Sequence, residues 1–183
     1  PTPALIIDVD VFERNLSKMQ SHLQSNSMGL RCHTKMHKCP TIARKQIAGG
    51  AIGVCTAKVS EAEIMQTNGI QNILITSPVV TTDKIQRVIR LAGQNTALQI
   101  VIDDIEVANR FNDAAASAGV ELGVLIDLDP GMGRTGIETG EPALALGHHI
   151  TEHCAHVRFD GLQMYAGNCM HIEGFEKRRD KYL

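Results

Sequence analysis

Leu30-Arg31-Cys32-His33-Thr34-Lys35-Met36-His37 decides the architecture. Read as a β-strand, the segment alternates, with Arg31, His33, Lys35 and His37 on one face and Lys38 at the exit. Such a face is not ordinary core, so this strand belongs to a sheet with one side bordering a site.

Working outward, the same kind of segment recurs. An opening strand over Ala4–Val9 leads into a helix, with Asp10-x-x-Glu13 as a capping box and Phe12, Leu16, Met19 and Leu23 on one face. Further strands are expected near Gly53–Ala57, Ile73–Thr76, Leu98–Asp103, Leu122–Asp129 and Val157–Tyr165. The helical stretches between them are followed by Gly49-Gly50, Gly69, Gly93 and Gly119 where helices stop, and Ser60-x-x-Glu63 reads as another cap. Strand–helix alternation of this strictness implies parallel strands joined by right-handed crossovers. Periodicity leaves two architectures open, a barrel and a doubly wound sheet.

Six such units fit, whereas a closed (β/α)₈ barrel takes ~250 residues. The chain opens at Pro1 and closes at Lys181-Tyr182-Leu183, inside the helix after the sixth strand, so it reads as part of a longer protein. Among 183 residues, 43% are hydrophobic and 21% charged, ordinary globular composition. A net charge of −2, with Lys177-Arg178-Arg179 the one short basic run, leaves no footprint for nucleic acid. No apolar stretch approaches the ~18 residues of a membrane helix. Five cysteines at irregular spacing favour a reducing, cytoplasmic setting over a disulfide framework.

Chemistry is sought at strand C-terminal ends. Lys35, among other cationic groups, has the setting of a nucleophile for Schiff-base chemistry. Two other readings stand beside it: an edge strand with solvated charges, and zinc held by Cys32, His33, His37 and Cys39. The zinc reading is opposed by Cys32 and His33 pointing to opposite faces. In Asp129-Pro130-Gly131-Met132-Gly133-Arg134-Thr135-Gly136 the glycines satisfy G-x-G-x-x-G, and Asp160 stands where a ribose acid is sought. Pro130 interrupts the strand exit, however, so the glycines better serve a tight loop that aims Arg134 at an anionic oxygen. Gln163 and Tyr165 share a face at the end of the sixth strand, and the tyrosine suits a planar cofactor. His171 beyond it is a candidate base or an exposed loop histidine. In the group His148, His149, His153 and His156, His149 and His153 stand at i, i+4, spaced either for metal or for a solvated helix face.

Together, Thr2-Pro3-Ala4, His33-Thr34-Lys35-Met36-His37-Lys38, Gly53–Lys58 with Val59-Ser60-Glu61-Ala62-Glu63, Asp127–Gly136 and Gly161-Leu162-Gln163-Met164-Tyr165 resemble the D-threonine aldolase and D-serine dehydratase family. The similarity is greatest to the D-threonine and 3-hydroxy-D-aspartate aldolase branch. It implies a (β/α)₈ TIM-type barrel of alanine racemase type, with residues 1–10 as a strand of a C-terminal β-domain and 11–183 as an incomplete pyridoxal 5′-phosphate-binding barrel domain. It also implies Lys35 as the lysine bonded to the cofactor, His37, Arg134 and Tyr165 as cofactor contacts, and His171 as base toward a substrate hydroxyl. Ala57 stands where aldolase relatives often carry glutamine. The implied reaction is cleavage of a D-3-hydroxy amino acid to glycine and an aldehyde, with dehydratase, racemase or cofactor-binding roles as alternatives. The implied protein is a cytoplasmic homodimer, without nucleic acid or membrane partners. A divalent metal (Mn, Mg or Zn) would bind outside this chain.

Overall fold

The computed structural model describes residues 2–182. Six strands, β1 (Arg31–His33), β2 (Gly53–Thr56), β3 (Ile73–Ile75), β4 (Gln99–Ile102), β5 (Leu122–Leu128) and β6 (Val157–Met164), alternate with α2 (Pro40–Ala48), α3 (Val59–Thr67), α4 (Thr82–Ala92), α5 (Ile105–Ala118) and α6 (Glu141–His153). Helix α1 (Val9–Ser25) precedes the sheet and α7 (Phe175–Tyr182) follows it.

All neighbouring strands are parallel and their spatial order is the chain order, β1 to β6. That order decides between the two architectures. A doubly wound sheet reverses direction at a switch point, whereas consecutive right-handed crossovers keep every helix on one face, as in a barrel wall. Val54, Ile73, Ile75, Ile100, Ile102, Val124 and Ile126 form the core with Met65, Val88, Phe111, Leu146 and Ile150 of the helices.

The opposite face carries the polar alternates. At the N-terminal end of the strands they close on themselves: Arg31 Nη2 donates to Gln99 Oε1 at 3.0 Å and Gln99 Nε2 to Asp160 Oδ2 at 2.6 Å. Arg158 pairs in turn with Asp160 and Glu121. Gly53 makes room for this layer, since a Cβ there would lie 2.2 Å from the Asn72 carbonyl oxygen.

A β-bulge in β6 sets what reaches the other end. Val124 stands opposite Phe159, but Leu125 stands opposite Gly161, whose φ of 144° suits glycine. The extra residue brings Gln163 opposite Asp127; without it Leu162 would be there.

Several local expectations are corrected. Val9, expected to end the opening strand, begins α1, and Leu5 and Ile6 before it are exposed. The cap of α1 is Asp8, whose Oδ1 accepts the Val11 N–H at 3.0 Å, rather than Asp10. Glu13 does not turn back to a cap, because it pairs with Lys45 of α2 at 2.9 Å. Ser60 lies inside α3, where Glu61 accepts the Ala57 N–H and Glu63 is drawn to Arg87 of α4. The first strand is shorter than expected, stopping at His33.

Candidate active site

Because β1 stops at His33, Lys35 lies on a 3₁₀ turn, Thr34–Met36, and not on a strand face. The turn is favoured over further strand by three hydrogen bonds. Buried Thr34 donates its hydroxyl to the Cys55 carbonyl at 3.0 Å, and the His37 and Lys38 N–H groups both return to the Thr34 carbonyl. Lys38 closes the turn with a φ of 50°, beside Glu61 at 3.6 Å. The expected row of Arg31, His33, Lys35 and His37 is therefore broken. Arg31 turns to the polar layer below, while His33 and Lys35 line a cavity of about 430 Å³ at the C-terminal end of the sheet.

His37 lies outside that cavity's lining. Its Nδ1 accepts the Cys39 N–H at 3.0 Å, and burial lowers its pKa, opposed by the Gln46 side chain. The geometry that ends the 3₁₀ turn takes the imidazole toward α2.

Across the cavity stand Arg134 and Tyr165. The Tyr165 ring has Lys35 Nζ 5.7 Å and Arg134 Cζ 5.0 Å from its centroid, close enough for both cations to feel its π-electrons. Gly167 lets the ring sit there: a Cβ on it would come within 2.6 Å of the ring.

Arg134 is carried by a loop hung from three carboxylates. Asp129 accepts the N–H groups of Gly131, Met132 and Gly133, Asp103 accepts that of Gly136 at 3.0 Å, and Asp127 accepts the Thr135 hydroxyl at 3.0 Å. The next helix opens only at Glu141, so the three glycines serve this loop and not a phosphate-binding helix start. Asp160 belongs to the polar layer at the far end of the strands.

Gln163 faces inward with Tyr165, donating to Asp127 Oδ1 at 2.8 Å and to the Thr76 carbonyl at 3.3 Å. Thr76, Ser77 and Thr135 also border the cavity and were not among the expected site residues. Their one sequence signal was position, each lying just past a strand end or in the arginine loop. His171 ends the 3₁₀ turn Gly167–His171, exposed and outside the cavity lining.

Cys32 is buried while His33 lines the cavity, and among the described residues no three His, Cys, Asp or Glu side chains converge as metal ligands. His149 bonds Asn109 of α5 at 2.6 Å, and His148 faces Glu152.

A primary amine, a guanidinium and an aromatic face converge on one cavity. These donors fit an anionic aromatic aldehyde such as pyridoxal phosphate. Lys35 would bond its carbonyl carbon, Arg134 would face its phenolic oxygen, and Tyr165 would lie against its ring.

Known proteins share this sequence pattern and fold. The family model for the alanine racemase N-terminal domain matches residues 7–180. A 3-hydroxy-D-aspartate aldolase of Paracoccus denitrificans is 36% identical over 98% of this chain and 46% of its own length. A D-threonine aldolase of an Arthrobacter species is also 36% identical, over 98% of this chain and 47% of its own. The crystal structure of D-threonine aldolase from Filomicrobium marinum superposes with a TM-score of 0.95 at 41% identity, covering 99% of this chain and 48% of that one. The chain thus spans about half the length of the relatives it matches. With a six-stranded parallel barrel wall and a match along nearly its whole length, it belongs to the alanine racemase N-terminal domain family.

Proposed function

We propose that this chain is the cofactor-binding barrel of a pyridoxal-phosphate-dependent lyase for D-3-hydroxy amino acids, cleaving a D-threonine-type substrate to glycine and an aldehyde. The observation that carries the reading is the grouping of Lys35 and Arg134 about the Tyr165 ring at the C-terminal end of the strands. Likeness to two aldolases at 36% identity and one at 41% supports the branch.

Pyridoxal phosphate, when bound, supplies an electrophilic aldehyde carbon and a conjugated ring that takes up the electron pair of a breaking α-bond. The chain's own residues then divide the work. Lys35 presents the amine on the 3₁₀ turn, and Arg134 holds an anionic oxygen through its planar guanidinium. Tyr165 restrains a planar group against its ring, and Gln163 with Asp127 fixes the floor beneath. His171 is the proposed base toward the substrate's β-hydroxyl, on the turn that follows Tyr165. Residues 1–10 are proposed to pair with a C-terminal β-domain, where a divalent metal would bind near that hydroxyl. A cytoplasmic homodimer without nucleic acid or membrane partners is the proposed setting; among the described residues no helix is long and apolar enough to cross a membrane.

Product analysis of the whole protein with D-threonine and pyridoxal phosphate tests the reading. Glycine with acetaldehyde supports it. Release of 2-oxobutanoate, formation of the Cα-inverted L-allo-threonine, or no turnover replaces it with a dehydratase, a racemase or a cofactor-binding protein respectively.

A further inference from the structure

Two histidines flank Lys35, and only His33 joins it at the cavity. His33 is the residue before the 3₁₀ turn, and its Nδ1 accepts the backbone N–H of Lys35 at 3.3 Å. A backbone N–H can only donate, so Nδ1 carries no proton, and in the neutral ring the proton is on Nε2. That nitrogen lies 3.1 Å from Thr76 Oγ1. Thr76 in turn donates its hydroxyl to the Thr56 carbonyl at 3.1 Å, leaving its lone pairs to accept from the imidazole. The four groups form a chain with one consistent direction: Lys35 N–H to Nδ1, Nε2–H to Thr76, Thr76 O–H to the Thr56 carbonyl.

We infer that His33 is a positioning residue whose imidazole, held as the Nε2–H tautomer between the Lys35 N–H and Thr76, caps the turn that presents Lys35 to the cavity. Both ring nitrogens are occupied, so His33 is not a general base even though it lines the site. Burial, then the Lys35 ammonium, lowers the imidazole's pKa, with Glu61 and the Cys55 backbone opposing, and the neutral form that the chain of bonds requires is favoured. Thr76 anchors the device to the end of β2, because its acceptor, Thr56, is the last residue of that strand. The role assigned to His33 rests on the reading of Lys35 as the cofactor's lysine; the tautomer does not.

Two measurements on the whole protein test this separately. Histidine-selective ¹⁵N NMR near neutral pH is expected to show His33, assigned through its loss in His33→Asn, with a protonated Nε2 and a bare Nδ1. In Thr76→Val the Lys35 N–H still requires a bare Nδ1, but the Nε2 proton loses its acceptor and the Nε2 signal is expected to shift. A protonated Nδ1 in the parent, or an Nε2 signal unmoved in Thr76→Val, overturns the inference. The second measurement is the rate at which borohydride traps pyridoxal phosphate on Lys35, read by peptide mass spectrometry. His33→Ala is expected to slow trapping roughly fivefold, the scale of a lost cap. His33→Asn, whose Oδ1 can accept the same N–H, restores most of the rate. Equal rates in His33→Ala and the parent, or no rescue by His33→Asn, overturn the positioning role. Failure of the parent to be trapped at Lys35 overturns the cofactor reading instead, and with it the use to which the turn is put, while the NMR result stands.

Discussion

Asp127 Oδ1 accepts the Nε2–H of Gln163 at 2.8 Å, which ties the ends of β5 and β6 together beneath the cavity. The other oxygen of the same buried carboxylate accepts the Thr135 hydroxyl at 3.0 Å, so one side chain fixes both the arginine loop and the strand that delivers Tyr165. Asp127→Ala leaves two donors without their acceptor, at a cost of about 1–3 kcal/mol each where water cannot reach them. Asp127→Asn can keep both bonds, because its amide oxygen accepts from Gln163 and its NH₂ donates to a Thr135 hydroxyl that turns acceptor. Thermal unfolding and a pyridoxal phosphate titration are expected to show the alanine variant less stable and weaker in binding, with the asparagine variant near the parent in stability. Equal losses in both variants would show that the charge, and not the bonding, is what matters.

Two glycines separate stability from site geometry. Gly53→Ala pushes a Cβ against the Asn72 carbonyl oxygen at the far end of the strands, for about 1–3 kcal/mol of overpacking. Gly161→Ala meets no neighbour within 4 Å but must hold a φ of 144°, at about 1–3 kcal/mol. Both are expected to unfold at lower temperature. Only Gly161→Ala is expected also to weaken pyridoxal phosphate binding in the folded protein, since the bulge sets the register that faces Gln163 and Tyr165 inward. Unchanged binding in that variant would count against the register argument.

His33 gives stability a definite pH dependence. Its folded pKa lies below the unfolded value, through burial first and the Lys35 ammonium second, so between the two values the unfolded chain binds more protons. The contribution of the neutral ring is therefore complete above the ordinary imidazole range, shrinks as pH falls through it, and levels off below the folded value. The stability difference between the parent and His33→Asn, followed by denaturant titration from neutral to mildly acidic pH, is expected to move against the parent on acidification. A difference that does not change with pH contradicts this.

The cysteines near the site differ in reactivity. The N–H groups of Ile42, then Thr41, at the start of α2 lower the Cys39 thiol, whereas burial pushes Cys55 up to about 11 against the pull of Arg31. Thiolate is the attacking form, so iodoacetamide at mildly alkaline pH is expected to label Cys39 well before Cys55. Peptide mass spectrometry over time measures the order, and equal labelling would contradict it.

The alternation of short aliphatic segments with glycine-stopped helices carried the six β/α units in nearly their observed bounds, because each parallel strand must present apolar side chains to the helices that cover it. Lys35, Arg134 and Tyr165 were legible for a related reason: a cation and an aromatic ring at strand ends have no place in a packed core. His37 was expected on the strand face beside Lys35 because period-2 alternation was extended past His33, where the hydrogen bonds of Thr34 convert strand to 3₁₀ turn. Thr76 and Gln163, and Asp127 in its bond to Gln163, acquire their meaning through contacts 20 to 87 residues away in sequence, which no local pattern records.

What the sequence determined by itself, then, was the set of elements and the chemistry available at their ends, both local properties of side-chain pattern. Barrel wall or doubly wound sheet, which histidine accompanies Lys35, and the pairing of Gln163 with Asp127 were decided by the tertiary structure. Strand order, turn closure and a one-residue bulge are relations between distant segments, and they exist only once those segments pack together.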